Sequence, residues 1–227
     1  MLSKLIPASL QRPLVALAFA GFAALLLLPA RGLPRAEADG GEMILMVEED
    51  WKLILNEPGA LKNAPQFHTV MSPDLNLNGS YAQVLWNYRE YPSYAPGGLQ
   101  LDGWHGDVKT RTLTVGEEPL SSSAETITWT QRLATSGSQL AFQVLNGNAT
   151  SWGSFGGENM TMSFWAAVPD LNHYSPLFSK ESALITYGSN RVNLLVITEV
   201  RKYGASGLIS RDTTPIIVFQ GVLPGGD

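Results

Sequence analysis

From Asp39 to the C-terminus, apolar side chains recur at every second position in short runs, and clusters of Gly, Pro, Asn or Ser interrupt them about every ten residues. A repeat of two is that of a pleated strand, whose successive side chains point to opposite faces, whereas a helix would need apolar residues three and four apart. The pattern therefore predicts strands and no helical stretch. Trp51, Leu53 and Leu55 share one face before a stop at Glu57-Pro58-Gly59, and Phe67, Thr69 and Met71 share another before Pro73. In Ser80 to Tyr88 the common face is Ala82, Val84 and Trp86. Asn78-Gly79 lies between these last two segments and predicts a hairpin closed by a type I′ turn, which needs positive φ at both central residues.

Further strands are predicted over Lys109 to Val115, Glu125 to Leu133 and Gln139 to Leu145, with Ile127, Trp129 and Gln131 on one face and Leu140, Phe142 and Val144 on another. Met160, Met162, Phe164 and Ala166 alternate after a glycine-rich loop. The longest candidate, Arg191 to Tyr203, places Val192, Leu194, Val196, Thr198 and Val200 inward, and Pro215 to Phe219 supplies a last strand. About ten or eleven strands suffice for two packed sheets. The fold class expected is all-β, a two-sheet antiparallel sandwich of jelly-roll type, preceded by one hydrophobic leader helix.

That leader is Leu14 to Leu28, an unbroken apolar run with Lys4 and Arg12 before it and Ala36-Glu37-Ala38 after it. Basic, apolar and small-residue regions in this order mark a secretory signal. Pro13 to Ala30 is also close to the roughly 17 residues that can span a bilayer, so an uncleaved membrane anchor is the competing expectation. The expected organisation is a signal peptide or anchor over residues 1–38, a short stem or edge strand over 39–50, and a sandwich domain over 51–227. Export to the periplasm, the cell surface or the medium follows, with membrane contact only through the leader.

Charge narrows the partners. The chain has 15 Lys+Arg and 20 Asp+Glu, and with four of those bases and one of those acids in residues 1–38, the remainder carries eleven against nineteen, a net −8. No basic run occurs there, which argues against nucleic acid, a ligand held through Lys and Arg. The absence of cysteine excludes disulfides, thiolate zinc sites and cysteine nucleophiles.

The segments EDWKLILNEP (Glu49 to Pro58), GGLQLDGWHG (Gly97 to Gly106), WTQRL (Trp129 to Leu133), LNGNATSWGSFGG (Leu145 to Gly157) and NRVNLLVITEVRKY (Asn190 to Tyr203) resemble a group of exported bacterial β-sandwich proteins of unknown function. The chain is also loosely similar to jelly-roll and concanavalin-like domains, many of which bind glycans. That likeness implies a fold and not an activity.

The common hydrolase, zinc-protease and nucleotide motifs are absent. A glycosidase needs only two carboxylates flanking a sugar, yet the acids Glu48-Glu49-Asp50, Glu117-Glu118, Asp102 and Asp107 read as solvated strand ends and turns. Asp74, Asn76 and Asn78 with Gly79 match the first half of a calcium loop, in which alternate oxygens converge on the ion, but the twelfth position is Leu85 rather than a bidentate Glu. Calcium is thus the minority reading and an ion-free hairpin the other. Asp102 to Asp107 sets His105 between two acids in what reads as a polar turn.

The most suggestive cluster is aromatic: Trp86, Tyr88, Tyr91, Tyr94 and Trp104, with His105 beside them. Sugar rings carry an apolar C–H face, and ligand sites combine apolar walls with few polar groups; packing of a long loop is the alternative use of the same rings. The expectation is an exported, non-catalytic sandwich with a structural or binding role at the cell envelope, its partner a glycan or an envelope protein. The alternative is a carbohydrate-active enzyme whose acid pair the sequence does not identify.

Overall fold

The computed structural model describes residues 42–89, 97–116 and 124–221. The leader, Tyr91, Tyr94 and the pair Glu117-Glu118 lie outside them. The strands are β1 (Met46–Leu55), β2 (Gln66–Met71), β3 (Ser80–Trp86), β4 (Leu99–His105), β5 (Val108–Val115), β6 (Glu125–Thr135) and β7 (Gln139–Ala149). After them come β8 (Gly153–Phe155), β9 (Thr161–Trp165), β10 (Leu184–Tyr187), β11 (Val192–Gly204), β12 (Gly207–Asp212) and β13 (Ile216–Gln220). The larger sheet runs β12-β11-β1-β6-β7-β8, with β13 also on β11 and β9 also on β7; the smaller runs β10-β2-β3-β4-β5. Every pairing among the described residues is antiparallel. The expected all-β, two-sheet antiparallel sandwich is what the chain forms.

Its core is built by the alternation. Trp51 and Trp129 are direct neighbours across β1 and β6 and stack at 5.8 Å, while Phe67 and Trp86 do the same across β2 and β3 at 5.4 Å. Trp86 of the smaller sheet then meets Trp129 of the larger at 4.6 Å between ring centres, so aromatic contact joins the two layers. Aromatic pairs add about 0.5–1.5 kcal/mol to the area they bury.

Several expectations change. Residues 46–50 are no stem or edge; they begin β1, which is flanked on both sides by β6 and β11. The acids Glu48, Glu49 and Asp50 therefore sit inside a central strand, with Glu49 fully buried. Asp102 to His105 likewise belong to β4, and only Gly106 and Asp107 turn. Asn78-Gly79 does not close a two-residue turn. β2 and β3 do pair as a hairpin, but residues 72–79 connect them, held by Ser72 Oγ donating to the Asn76 carbonyl and by the Asn78 N–H donating to Asn76 Oδ1. Neither Asn78 nor Gly79 has positive φ.

The inward face of β11 also differs. Its register with β1 shifts twice, at Asp50/Trp51 and at Ile54/Leu55, so Ile197 and Leu195 oppose Trp51 and Leu53 inside while Leu194 and Thr198 are only partly buried. A bulge inserts an extra residue and reverses which side chains point inward beyond it. Among the described residues one α-helix forms, α1 (Pro176–Ser182), entered through Pro176, whose fixed φ suits a first helical turn.

Candidate functional site

A groove of about 690 Å³ opens where the edge strand β5 of the smaller sheet faces the edge strand β9 of the larger. Local strand chemistry makes it. The β4–β5 register shifts at Gly103/Trp104, leaving Thr110 as the extra residue, and Thr110 Oγ1 donates to the Gly103 carbonyl at 3.0 Å. Val108 before the bulge and Arg111 after it both line the groove. Lys109 turns to the other face, where its ammonium lies 2.8 Å from Asp102 and 5.1 Å from the centre of the Trp104 ring. Gly103 is needed here: a Cβ on it would stand 2.6 Å from the Phe164 ring, which seals the groove floor.

On the opposite wall, the alternation of β9 buries Met162 and Phe164 and turns Ser163 and Trp165 outward; Trp165 is 73 % exposed. His105 and Ser80 face each other across β3 and β4, with Ser80 Oγ 3.1 Å from His105 Nδ1. The arrangement is thus an exposed indole over an apolar floor, rimmed by hydroxyls, an imidazole and a guanidinium. No carboxylate of the described residues lines it.

Of the ligand-binding residues singled out from the sequence, His105 alone among those described lines this groove. Trp86 is fully buried beneath the sheets, where a surface ligand cannot touch it. Tyr88 lies beside the Arg89 guanidinium, 5.1 Å from the ring centre. Trp104 alternates to the face opposite His105 and stacks on Tyr81 at 6.1 Å, 4° from parallel. Trp165 and Arg111 belong to no motif of the sequence, although the alternation over Met162, Phe164 and Ala166 does put Trp165 on the outer side. In the 72–79 loop, Asn76 Oδ1 accepts the Asn78 N–H, so one of the oxygens proposed for calcium is engaged. Among the described residues no group of three or more His, Cys, Asp or Glu could hold a metal ion.

Two further polar clusters lie on the larger sheet. On its outer face Glu48 accepts from Arg132 Nε at 2.7 Å, from Arg201 Nε at 2.8 Å and from the Tyr203 hydroxyl at 2.8 Å. Arg201 also reaches Asp50 at 2.6 Å and Glu199 at 2.5 Å. Burial pulls the Glu48 carboxyl up, but the Arg201, Arg132 and Tyr203 donors outweigh it and hold it below its ordinary range. These carboxylates are satisfied by cations of the same sheet.

On the inner face Glu49 opposes Gln131. Trp51 Nε1 donates to Glu49 Oε2 at 2.9 Å, the Tyr174 hydroxyl donates to Glu49 Oε1, and Gln131 Nε2 donates to Thr69 Oγ1 at 2.5 Å. Burial raises the Glu49 carboxyl to about 7 against the lowering effect of its donors. Burial also pushes the His68 imidazole down to about 4, a contact with the Ser182 backbone opposing it.

No protein-family profile and no curated protein matches the chain. Among solved structures, a crystal structure of scytalido-glutamic peptidase with a peptide-based transition-state analogue is similar at 13 % identity and a TM-score of 0.33, covering 80 % of this chain and 87 % of that one. A second, with a transition-state analogue inhibitor, is similar at 12 % identity and a TM-score of 0.29, covering 77 % and 82 %.

Proposed function

We propose that the chain is an exported, non-catalytic β-sandwich that binds glycans at the cell envelope, and that the groove between β5 and β9 is its binding surface. The observation that carries this reading is Trp165, an indole 73 % exposed on the rim of a groove whose other wall offers Ser80, His105 and Arg111. A large exposed aromatic is costly to leave in water and useful against the C–H face of a sugar ring, while the rim donors and acceptors suit its hydroxyls. Hydrolysis would need two carboxylates flanking the sugar. Among the described residues the groove lining has none, which favours binding over the enzyme alternative. Export rests on the leader sequence.

Affinity electrophoresis of the full chain through gels containing polysaccharides tests the proposal. Retardation is expected, and Trp165→Ala should weaken it about tenfold or more, the loss of one stacked ring. Equal retardation of wild type and Trp165→Ala would remove the groove from the binding reaction, and release of reducing sugar would favour the enzyme.

A further inference from the structure

We infer that the ligand of this groove is an acidic glycan, and that Arg111 reads the carboxylate of its uronic-acid unit. The inference rests on the glycan-binding reading above and names the class of sugar. Arg132, Arg201 and Arg211 are each committed to carboxylates of the larger sheet. Arg111 lines the groove and has no hydrogen bond or ion pair with any described residue. The bulge at Thr110 aims Lys109 at Asp102 and spares Arg111 the same fate.

The electrostatic setting sharpens the contrast. The chain as a whole is acidic, with a formal net charge of −5, yet the described residues lining the groove include His105 and Arg111 and no acid. Asp107, the nearest acid in sequence, sits in the turn and acts on Tyr81, raising its phenol after the larger effect of burial. A groove reserved for neutral sugars would have no use for a guanidinium held clear of acids such as those that occupy Arg132, Arg201 and Arg211. A guanidinium presents two parallel N–H donors that match a carboxylate, a fit that an ammonium cannot reproduce. An acidic domain also repels an anionic ligand at long range, so a local cation is needed to hold one. With the sugar ring on Trp165, a carboxylate on the ring edge would lie toward the opposite wall, where Arg111 stands.

Polygalacturonate and its fully methyl-esterified form share a backbone and differ in charge, so the pair separates recognition of the carboxylate from recognition of the ring. The experiment is affinity electrophoresis of the full chain against both polymers, together with alginate and hyaluronan as further uronates and dextran and chitin oligomers as neutral probes. Wild type, Arg111→Gln, Arg111→Lys and Trp165→Ala are compared, each checked by circular dichroism and thermal melting. At least one uronate should bind about tenfold tighter than the neutral polymers, with the preference weakening as salt rises. Arg111→Gln should bring the ratio of uronate to neutral affinity close to one, Arg111→Lys should restore only part of it, and Trp165→Ala should weaken both. Neutral polymers bound as well as uronates, or a uronate preference unchanged in Arg111→Gln, overturns the acidic ligand while leaving the glycan groove standing. Retention of no polymer at all, or retention indifferent to Trp165→Ala, overturns the groove itself and the inference with it.

Discussion

Glu49 shows how far one side chain can depart from its place in a sequence motif. In the run Glu48-Glu49-Asp50 the outer two carboxylates meet arginines on the sheet surface, while the middle one points between the sheets at Gln131 and Tyr174. Its carboxyl is raised from 4.5 to about 7, chiefly by burial. A carboxyl that holds its proton more tightly when folded contributes stability that is complete below about pH 4.5 and is lost as the pH rises through about 7. For a carboxyl displaced this far, the full effect is about 3 kcal/mol. Glu48, Glu199 and His68 change with the opposite sign, since the two carboxyls are held low and the imidazole is held neutral. The comparison that isolates Glu49 is therefore wild type against Glu49→Gln in chemical denaturation between about pH 4.5 and 8. The stability advantage of wild type over the variant should shrink as pH rises across this window; a difference flat with pH would contradict the buried, proton-holding carboxyl. Three consecutive acids look solvated because ionised groups are seldom buried. The alternation that runs from Leu55 through Leu53 and Trp51 back to Glu49 and Val47 was nonetheless there to be read.

Elements were legible wherever the alternation was unbroken. β2, β3, β6, β7 and β9 bury the faces that their sequences announce, because a period of two on a half-buried strand fixes its register strongly. β11 was legible as a strand but not face by face. Its two bulges move Leu195 and Ile197 inward, and the residues that permit a bulge carry no distinctive spelling there. β4 hid behind Asp102, Gly103 and His105, residue types that favour turns. In the fold Asp102 is satisfied by Gln100, Thr112 and Lys109, and Gly103 is flat so that Phe164 can cover it. Gly103→Ala should thus cost about 1–3 kcal/mol, the usual range for overpacking a filled core, and should displace Phe164 from the groove floor. Urea unfolding measures the first effect and polysaccharide retention the second. Full stability together with full retention would mean that Phe164 does not depend on the missing Cβ.

At the scale of the molecule, the class of fold was legible and the strand order was not. Alternation and turn spacing define an all-β sandwich, but nothing local in β1 says that it will lie between β6 and β11, whose partners are some 80 and 150 positions further along the chain. The site has the same origin. The groove exists because β5 ends one sheet, β9 flanks the other, and their edges face each other. His105, Arg111 and Trp165 come from three separate strands, so no motif could announce them together. Whether ligands enter this seam is tested most directly by NMR chemical-shift mapping, with oligogalacturonate added to the isotopically labelled protein. Perturbations concentrated on Ser80, His105, Arg111, Ser163 and the Trp165 indole are expected. Perturbations centred instead on Glu48, Arg132 and Arg201 of the outer face, or an unperturbed Trp165, would contradict binding in the seam.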